Sequence, residues 1–297
     1  MSKVIPVVFT FDKRIVLGAS VAIKSLLDNA KNDTVYDIRI LHSDLPLSYQ
    51  KEFASMVRNT RHSMAFHYID KSIFKGVKKN HKSWTEIVYY RMIISEILPE
   101  YDKAIYSDVD VFFKGDMSEI YSTDIKDFEI GAVRAEKNSK NMVGHKYFPE
   151  NKNQFIFWSG FLLLNLKKLR QEKFFSKFMK TAFEFKNRLK FFDLDVINLT
   201  CHNIKPLPFD YCVLEAIYTF SKLSESNDYK YISKVYSDKE LLSAKKNPMI
   251  IHFAGQLGKP WRRKHPPEYY LEYMNAVPKK LRHFTLRDRR KKLFNKN

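Results

Sequence analysis

Asp108 and Asp110 sit inside an apolar, β-prone run, Ala104-Ile105-Tyr106-Ser107-Asp108-Val109-Asp110-Val111-Phe112-Phe113. Residues two apart on an extended chain project to the same side, so the two carboxylates are expected to aim at one point. Two anions held together where solvation is poor repel each other and raise each other's pKa. A bound cation relieves this, and oxygen ligands of this kind suit hard divalent metals. The plainer alternative is a turn with two exposed aspartates, and the long apolar flanks weigh against it. Far downstream, Pro248-Met249-Ile250-Ile251-His252-Phe253-Ala254-Gly255 reads as a strand ending at His252, with Lys259-Pro260-Trp261 after a short loop. A lone histidine there is usually a satisfied polar residue. Beside it, however, Gly255 lets backbone approach a ligand closely and Lys259 offers a cation for a phosphate. Asp193, in Asp193-Leu194-Asp195, is either a helix N-cap or a polar group at a sugar site.

These groups need a frame to hold them. Strands are expected over residues 4–11, 36–41 and 64–69, and again through Asp108–Asp110, which is taken as part of a strand. Helices are expected from Val16 to Ala30, from Pro46 to about Asn59, and over 86–98, where Pro99 stops the last. This alternation of strand and helix is the signature of a parallel sheet covered by helices. Such sheets bind ligands beyond the carboxyl ends of their strands, where Asp12 and the Asp108/Asp110 pair both fall. The second half is less regular. A short strand is expected over 129–133, a polar loop over 135–153, an apolar stretch over 155–166 and one helix over 167–187.

Composition narrows the function classes. Of 297 residues 44% are hydrophobic, enough for a sizeable core. Glycine occurs only eight times, and neither a G-x-G-x-x-G nor a Walker G-K-[ST] motif is present. Cys201 and Cys212 are too few for a disulfide scaffold or a cysteine zinc site, and are expected as buried small hydrophobes in a reducing compartment. No run approaches the length of a membrane span. The apolar N-terminal stretch contains Pro6 and ends at Asp12-Lys13-Arg14, unlike a signal peptide, so a cytoplasmic protein is expected. The formal charge of +19 favours an anionic partner: nucleic acid, an acidic membrane or a phosphorylated substrate. From Lys279 the chain is strongly basic with interleaved Leu281, Phe284, Leu286 and Leu293, a pattern that suits an anionic membrane surface, with a disordered solvated tail or nucleic-acid binding as the alternatives.

Taken together, Phe9-Thr10-Phe11-Asp12, Tyr90-Arg91, Asp108-Val109-Asp110, Phe157-Trp158-Ser159-Gly160 with Leu164-Asn165-Leu166-Lys167-Lys168, Asp193-Leu194-Asp195 and His252-Phe253-Ala254-Gly255 with Lys259-Pro260-Trp261 resemble glycosyltransferase family 8. The nearest look-alikes are the bacterial galactosyl- and glucosyltransferases that extend lipopolysaccharide. The resemblance covers about residues 4–261. It implies an α/β GT-A fold, a Rossmann-like, mostly parallel mixed sheet flanked by helices, filling residues 1–275, with the basic tail over 276–297. It implies a UDP-sugar donor, a saccharide acceptor carried on a lipid, transfer with retention, and Mn²⁺ with Mg²⁺ as the alternative. Asp108, Asp110 and His252 would be metal ligands. Thr10, Phe11 and Asp12 would line the uridine pocket, and Val109 would offer backbone at the ribose. Arg91 would contact the donor sugar or brace the metal carboxylates, Ser159 would lie at the donor, Asp193 would face the transferred sugar, and Gly255 and Lys259 would bind the diphosphate. The implied location is the inner face of the cytoplasmic membrane, with no nucleic-acid partner.

Four positions depart from the family pattern. Trp158 stands where asparagine is common. No aspartate follows the Gly131-Ala132 strand, where Val133-Arg134-Ala135 stand. Leu194 replaces a glutamine. The interval from Gly255 to Lys259 is one residue longer than usual. The first three touch sugar identity. Leu194 offers no nucleophile, which favours attack by the acceptor on the face that UDP leaves, with Asp193 the less favoured covalent nucleophile.

Three rivals explain less. In a haloacid-dehalogenase-type phosphatase the aspartate pair ends the first core strand, whereas three expected strands precede it here. A basic nucleic-acid-binding protein should show zinc spacing, an RNP signature or a helix-turn-helix. A self-glucosylating primer resembling glycogenin needs an acceptor tyrosine, which seventeen tyrosines do not single out.

Overall fold

The computed structural model describes residues 4–78, 85–140 and 144–283. The apolar segment Val4–Thr10 forms strand β1, buried but for its first residue and paired in parallel on both sides. A strand covered on both faces needs a continuous hydrophobic run, which is why this one carries no polar alternation. Its neighbours are β2 (Val35–His42) and β4 (Ala104–Ser107), with β3 (Ser63–Tyr68) at the edge beyond β2. All four run parallel. The helix Val16–Asp28 links β1 to β2 and is buried on two sides. Val16, Ala19, Ile23 and Leu26 join the main core, while Leu17 and Val21 meet Trp261, Tyr270 and Met274.

The later strands are β5 (Val111–Phe113), β6 (Ile130–Lys137), β7 (Phe155–Leu164), β8 (Ile204–Leu207), β9 (Val213–Leu214) and β10 (Ile250–His252). Among the described residues they complete a mixed sheet, β3-β2-β1-β4-β7-β6-β8, and build a small one, β5-β10-β9. β7 runs antiparallel to β4 and to β6.

Several elements differ from expectation. Asp108 to Asp110 is not strand: β4 ends at Ser107 in the large sheet, and β5 begins at Val111 in the small one. The chain bends between two sheets there, so the two carboxylates are not set by strand alternation. The segment expected as a helix over 86–98 is a 3-10 turn, Glu86–Ile93, followed by one α-turn, Ile94–Ile97. The helix begun at Pro46 stops at Ser55, before Asn59 at a φ of 61°. β6 runs on through Ala135 and Glu136 into the stretch expected as loop. Residues 167–187 hold two helices, Leu166–Gln171 and Phe174–Glu184, broken where Lys173 turns left-handed at a φ of 54°. At the C-terminus, Val277 and Leu281 are buried and Lys280 pairs with Glu52 at 2.9 Å, so the tail's first residues lie against the body. The rest of the tail, 284–297, lies outside the described residues.

Candidate active site

The bend after β4 is pinned from two directions. The Asp108 amide donates to the Gly160 carbonyl at 2.8 Å, which brings β7 alongside. The Phe253 amide donates to the Asp110 carbonyl at 2.9 Å, and β10 pairs His252 with Val111. Ligand atoms of Asp108, Asp110 and His252 consequently lie within 4.8 Å of one another. Gly160 permits this: a Cβ there would stand 2.7 Å from His252 Cε1 and 3.1 Å from Asp108 Oδ2.

Each carboxylate has its own surroundings. Asp108 Oδ1 accepts from Arg91 Nη2 at 2.9 Å and from the Tyr106 hydroxyl at 2.6 Å. Tyr106 in turn lies 3.2 Å from Thr10 Oγ1, and the Arg91 guanidinium stacks over its ring. Asp110 pairs with Lys259, which also donates to the Phe253 carbonyl at 2.8 Å, and its Oδ1 lies 3.5 Å from His252 Nε2. Burial alone would disfavour ionised Asp110, but Lys259 and His252 outweigh it and hold its pKa well below the usual carboxylate range. Burial opposes a charged His252; Cys212 and Asp110 outweigh it and hold the imidazole up to about 10.

A third acid lies next door. Asp193 Oδ2 accepts from the Ser159 hydroxyl at 2.8 Å and is 3.2 Å from Arg91 Nη1. Burial pushes its pKa up to about 6 against the pull of Arg91. Asp193 is the first residue of the helix Asp193–Thr200 rather than its N-cap. The preceding Phe192 is bent to a φ of 44°, a backbone region that bulky residues rarely occupy. Asp195 holds that bend by accepting from the Lys190 and Phe191 amides at 2.6 and 2.8 Å.

Thr10, Arg91, Asp108, Val109, Asp110, Ser159, Asp193, His252 and Lys259 are thus brought to one end of the sheet. Gly255, at a φ of 91°, opens the turn that returns Lys259 to Asp110. Phe11 differs: its ring is buried against Phe53, 5.2 Å between centroids. Asp12 is tied to Arg14 through the Arg14 amide and side chain. Sequence reasoning missed three supporting residues. Tyr106 is a strand position whose hydroxyl reaches Asp108. Cys212 lies with Sγ 3.4 Å from His252 Nδ1. Asn198 clasps the start of β7, accepting from the Phe157 amide and donating to its carbonyl, both at 2.9 Å, and so sets Ser159 beside Asp193. Only Tyr106, two residues before Asp108, carried a sequence signal.

The departures Trp158, Ala135 and Leu194 also meet. Ala135, Ile156 and Leu194 form one small buried apolar cluster, with Trp158 and Phe191 packed against it.

The residues present fit a divalent cation. Two carboxylates and an imidazole converge at ligand spacing, and a lysine ammonium is already drawn to one of the acids. The model for glycosyl transferase family 8 matches residues 6–265. The chain belongs to glycosyltransferase family 8. It is 25% identical over 255 residues to a lipopolysaccharide 1,2-glucosyltransferase of Escherichia coli, covering 84% of this chain and 71% of that one. It is 24% identical over 203 residues to a lipopolysaccharide 1,3-galactosyltransferase of Salmonella typhimurium, covering 65% and 58%. Its fold superposes on the galactosyltransferase LgtC, solved with donor and acceptor sugar analogues, with a TM-score of 0.75 at 20% identity over 94% of this chain and 99% of that one. The fold is GT-A, as expected.

Proposed function

We propose that this family 8 glycosyltransferase is a retaining, metal-dependent hexosyltransferase. It moves galactose or glucose from a UDP-sugar to a saccharide acceptor of lipopolysaccharide or lipooligosaccharide. The observation that carries this reading is the convergence of Asp108, Asp110 and His252 beside the Arg91–Asp193 pair, at the carboxyl end of β4. Two oxygens and an imidazole suit Mn²⁺ better than Mg²⁺, which prefers oxygen alone. When bound, the cation would neutralise the diphosphate as it departs.

The chain's own groups account for the rest. Thr10, the Phe11 backbone, Asp12 and Val109 line the nucleoside side. Lys259 exchanges Asp110 for the diphosphate, guided by the turn at Gly255, and stabilises charge where it develops. Arg91 and Ser159 hold the Asp193 carboxylate in place, and ionised Asp193 faces the sugar as positive charge grows at its anomeric carbon. The acceptor oxygen bonds to that carbon on the face from which the diphosphate oxygen leaves, and the acceptor proton passes to the leaving diphosphate. Leu194 supplies no nucleophile, which favours this course.

The names of the relatives support lipopolysaccharide as the setting. No described helix is long and apolar enough to cross a membrane. The basic tail would bring the enzyme to the anionic inner face of the cytoplasmic membrane. Removing residues 284–297 should weaken binding to phosphatidylglycerol vesicles with little change in turnover on a soluble acceptor; unchanged vesicle binding would refute the tail's role. The reading as a whole is tested by donor hydrolysis with Mn²⁺ and no acceptor, over UDP-galactose, UDP-glucose and their N-acetyl relatives. UDP release from a hexose donor, lost with chelator, is expected. Release from none of them would count against it.

A further inference from the structure

The imidazole of His252 is enclosed on three sides. Nε2 lies 3.5 Å from Asp110 Oδ1, Nδ1 lies 3.4 Å from Cys212 Sγ, and Cε1 faces Gly160. Cys212 is 1% exposed and its thiol is free. It ends the 3-10 turn Phe209–Cys212, which runs directly into β9. β9 pairs in parallel with β10 and places Leu214 beside His252. The same small sheet therefore fixes both the sulfur and the ring.

A neutral imidazole has one N–H and one lone pair, and the partner of one nitrogen decides the state of the other. A histidine that binds metal gives its remaining N–H to an acceptor, which orients the ring and raises its basicity. We propose that Cys212 is a positioning residue for the cation site: its sulfur accepts the Nδ1–H of His252 and keeps the Nε2 lone pair directed at the space shared with Asp108 and Asp110. This rests on the metal site proposed above. Were the thiol to donate to Nδ1 instead, the ring proton would sit on Nε2, facing Asp110. The ring could then pair with that carboxylate but could not ligate. A cysteine sulfur is a weak acceptor, enough to take one ring N–H and so to set the tautomer. A carboxylate in its place would bring buried like charge. The proposed transfer itself uses no thiol, which leaves positioning as the role of this one.

The test is Mn²⁺ binding to the full chain in the presence of UDP, read from the electron paramagnetic resonance signal of free Mn²⁺. Cys212→Ala should raise the Mn²⁺ Kd by about 10–100-fold, the usual cost of losing such a partner. Cys212→Ser, whose oxygen accepts the same N–H, should stay much closer to wild type than the alanine variant. Equal affinity in wild type and Cys212→Ala overturns the role of Cys212 alone. A wild-type chain that takes up no Mn²⁺ overturns the metal site itself, so the two failures are told apart. Should the alanine variant not fold, nitrogen–proton correlation spectra of wild-type His252 with Mg²⁺ and UDP decide the matter. A proton on Nδ1 and a bare Nε2 are expected, and a proton on Nε2 overturns the proposal.

Discussion

Asp110 is half-buried and Asp193 buried, both lie against cations, and their ionisation is pushed in opposite directions. Asp110 meets Lys259 and His252 together, and their charge overcomes its burial. Asp193 shares Arg91 with Asp108, and burial wins. When two acids in one site are driven apart in this way, their environments assign them different tasks. A permanently ionised acid suits holding a cation. An acid that ionises near neutrality, and gains stability from a neighbouring positive charge, suits facing a sugar carbon that becomes positive.

The largest effect should come from the first acid. Asp110→Asn is expected to lower transfer by at least roughly 10²–10³-fold, the scale of losing one preorganised electrostatic group, with circular dichroism unchanged. Wild-type rates in that variant would end the comparison. Next comes the cation that the second acid shares. Arg91→Met leaves Asp108 and Asp193 without their common partner in a buried setting, and should cost about 3–5 kcal/mol in urea unfolding. A loss under about 1 kcal/mol, the level of an exposed ion pair, would show that solvent reaches the pair.

Protonation sharpens the contrast. Folded Asp193 has a pKa of about 6. An unfolded aspartate titrates near 4. The folded state therefore binds that proton more tightly, and stability falls as pH rises from about 4 through about 6. Metal-free Asp193→Asn should be more stable than wild type at pH 7, by about 1–3 kcal/mol, although it transfers poorly. For Asp110 the sign reverses. Its folded pKa lies below the unfolded value, so its contribution is present above about pH 4 and is lost as pH falls through the folded pKa. Metal-free Asp110→Asn should thus be less stable at pH 7. Unfolding curves for both variants at pH 7 check the pair of signs. Transfer should also decline below about pH 6 as Asp193 takes up its proton.

The parallel half of the sheet was legible because its physics is local. β1 is a continuous apolar run, and the helix Val16–Asp28 shows its apolar positions at helical spacing. Of the small sheet only β10, ending at His252, was legible; β9 and β5 have two and three residues and are strands only by virtue of their partners. That sheet is what carries His252 to Asp110. The convergence of Asp108 and Asp110 was expected on the wrong ground: strand alternation does not place them, the crossing between sheets does. Cys212 and Asn198 gave no signal, since their roles exist only where distant segments meet.

The same holds for the departures at Trp158, Ala135 and Leu194. Each looks like a lost polar contact on its own, and together they pack as one apolar cluster. Leu194→Gln should therefore install no nucleophile. It should bury an amide without partners at a cost of about 1–3 kcal/mol, with no glycosyl adduct by intact mass in the presence of donor. A stable variant that forms an adduct would show that the cluster opens onto the sugar.

The most direct measurement of the central claim is anomalous scattering from a crystal soaked in Mn²⁺ and UDP. The account predicts one manganese peak bound by Asp108, Asp110 and His252 Nε2, with Lys259 moved from Asp110 onto the diphosphate. A peak away from these three residues, or UDP seated with Lys259 still on Asp110, would contradict it.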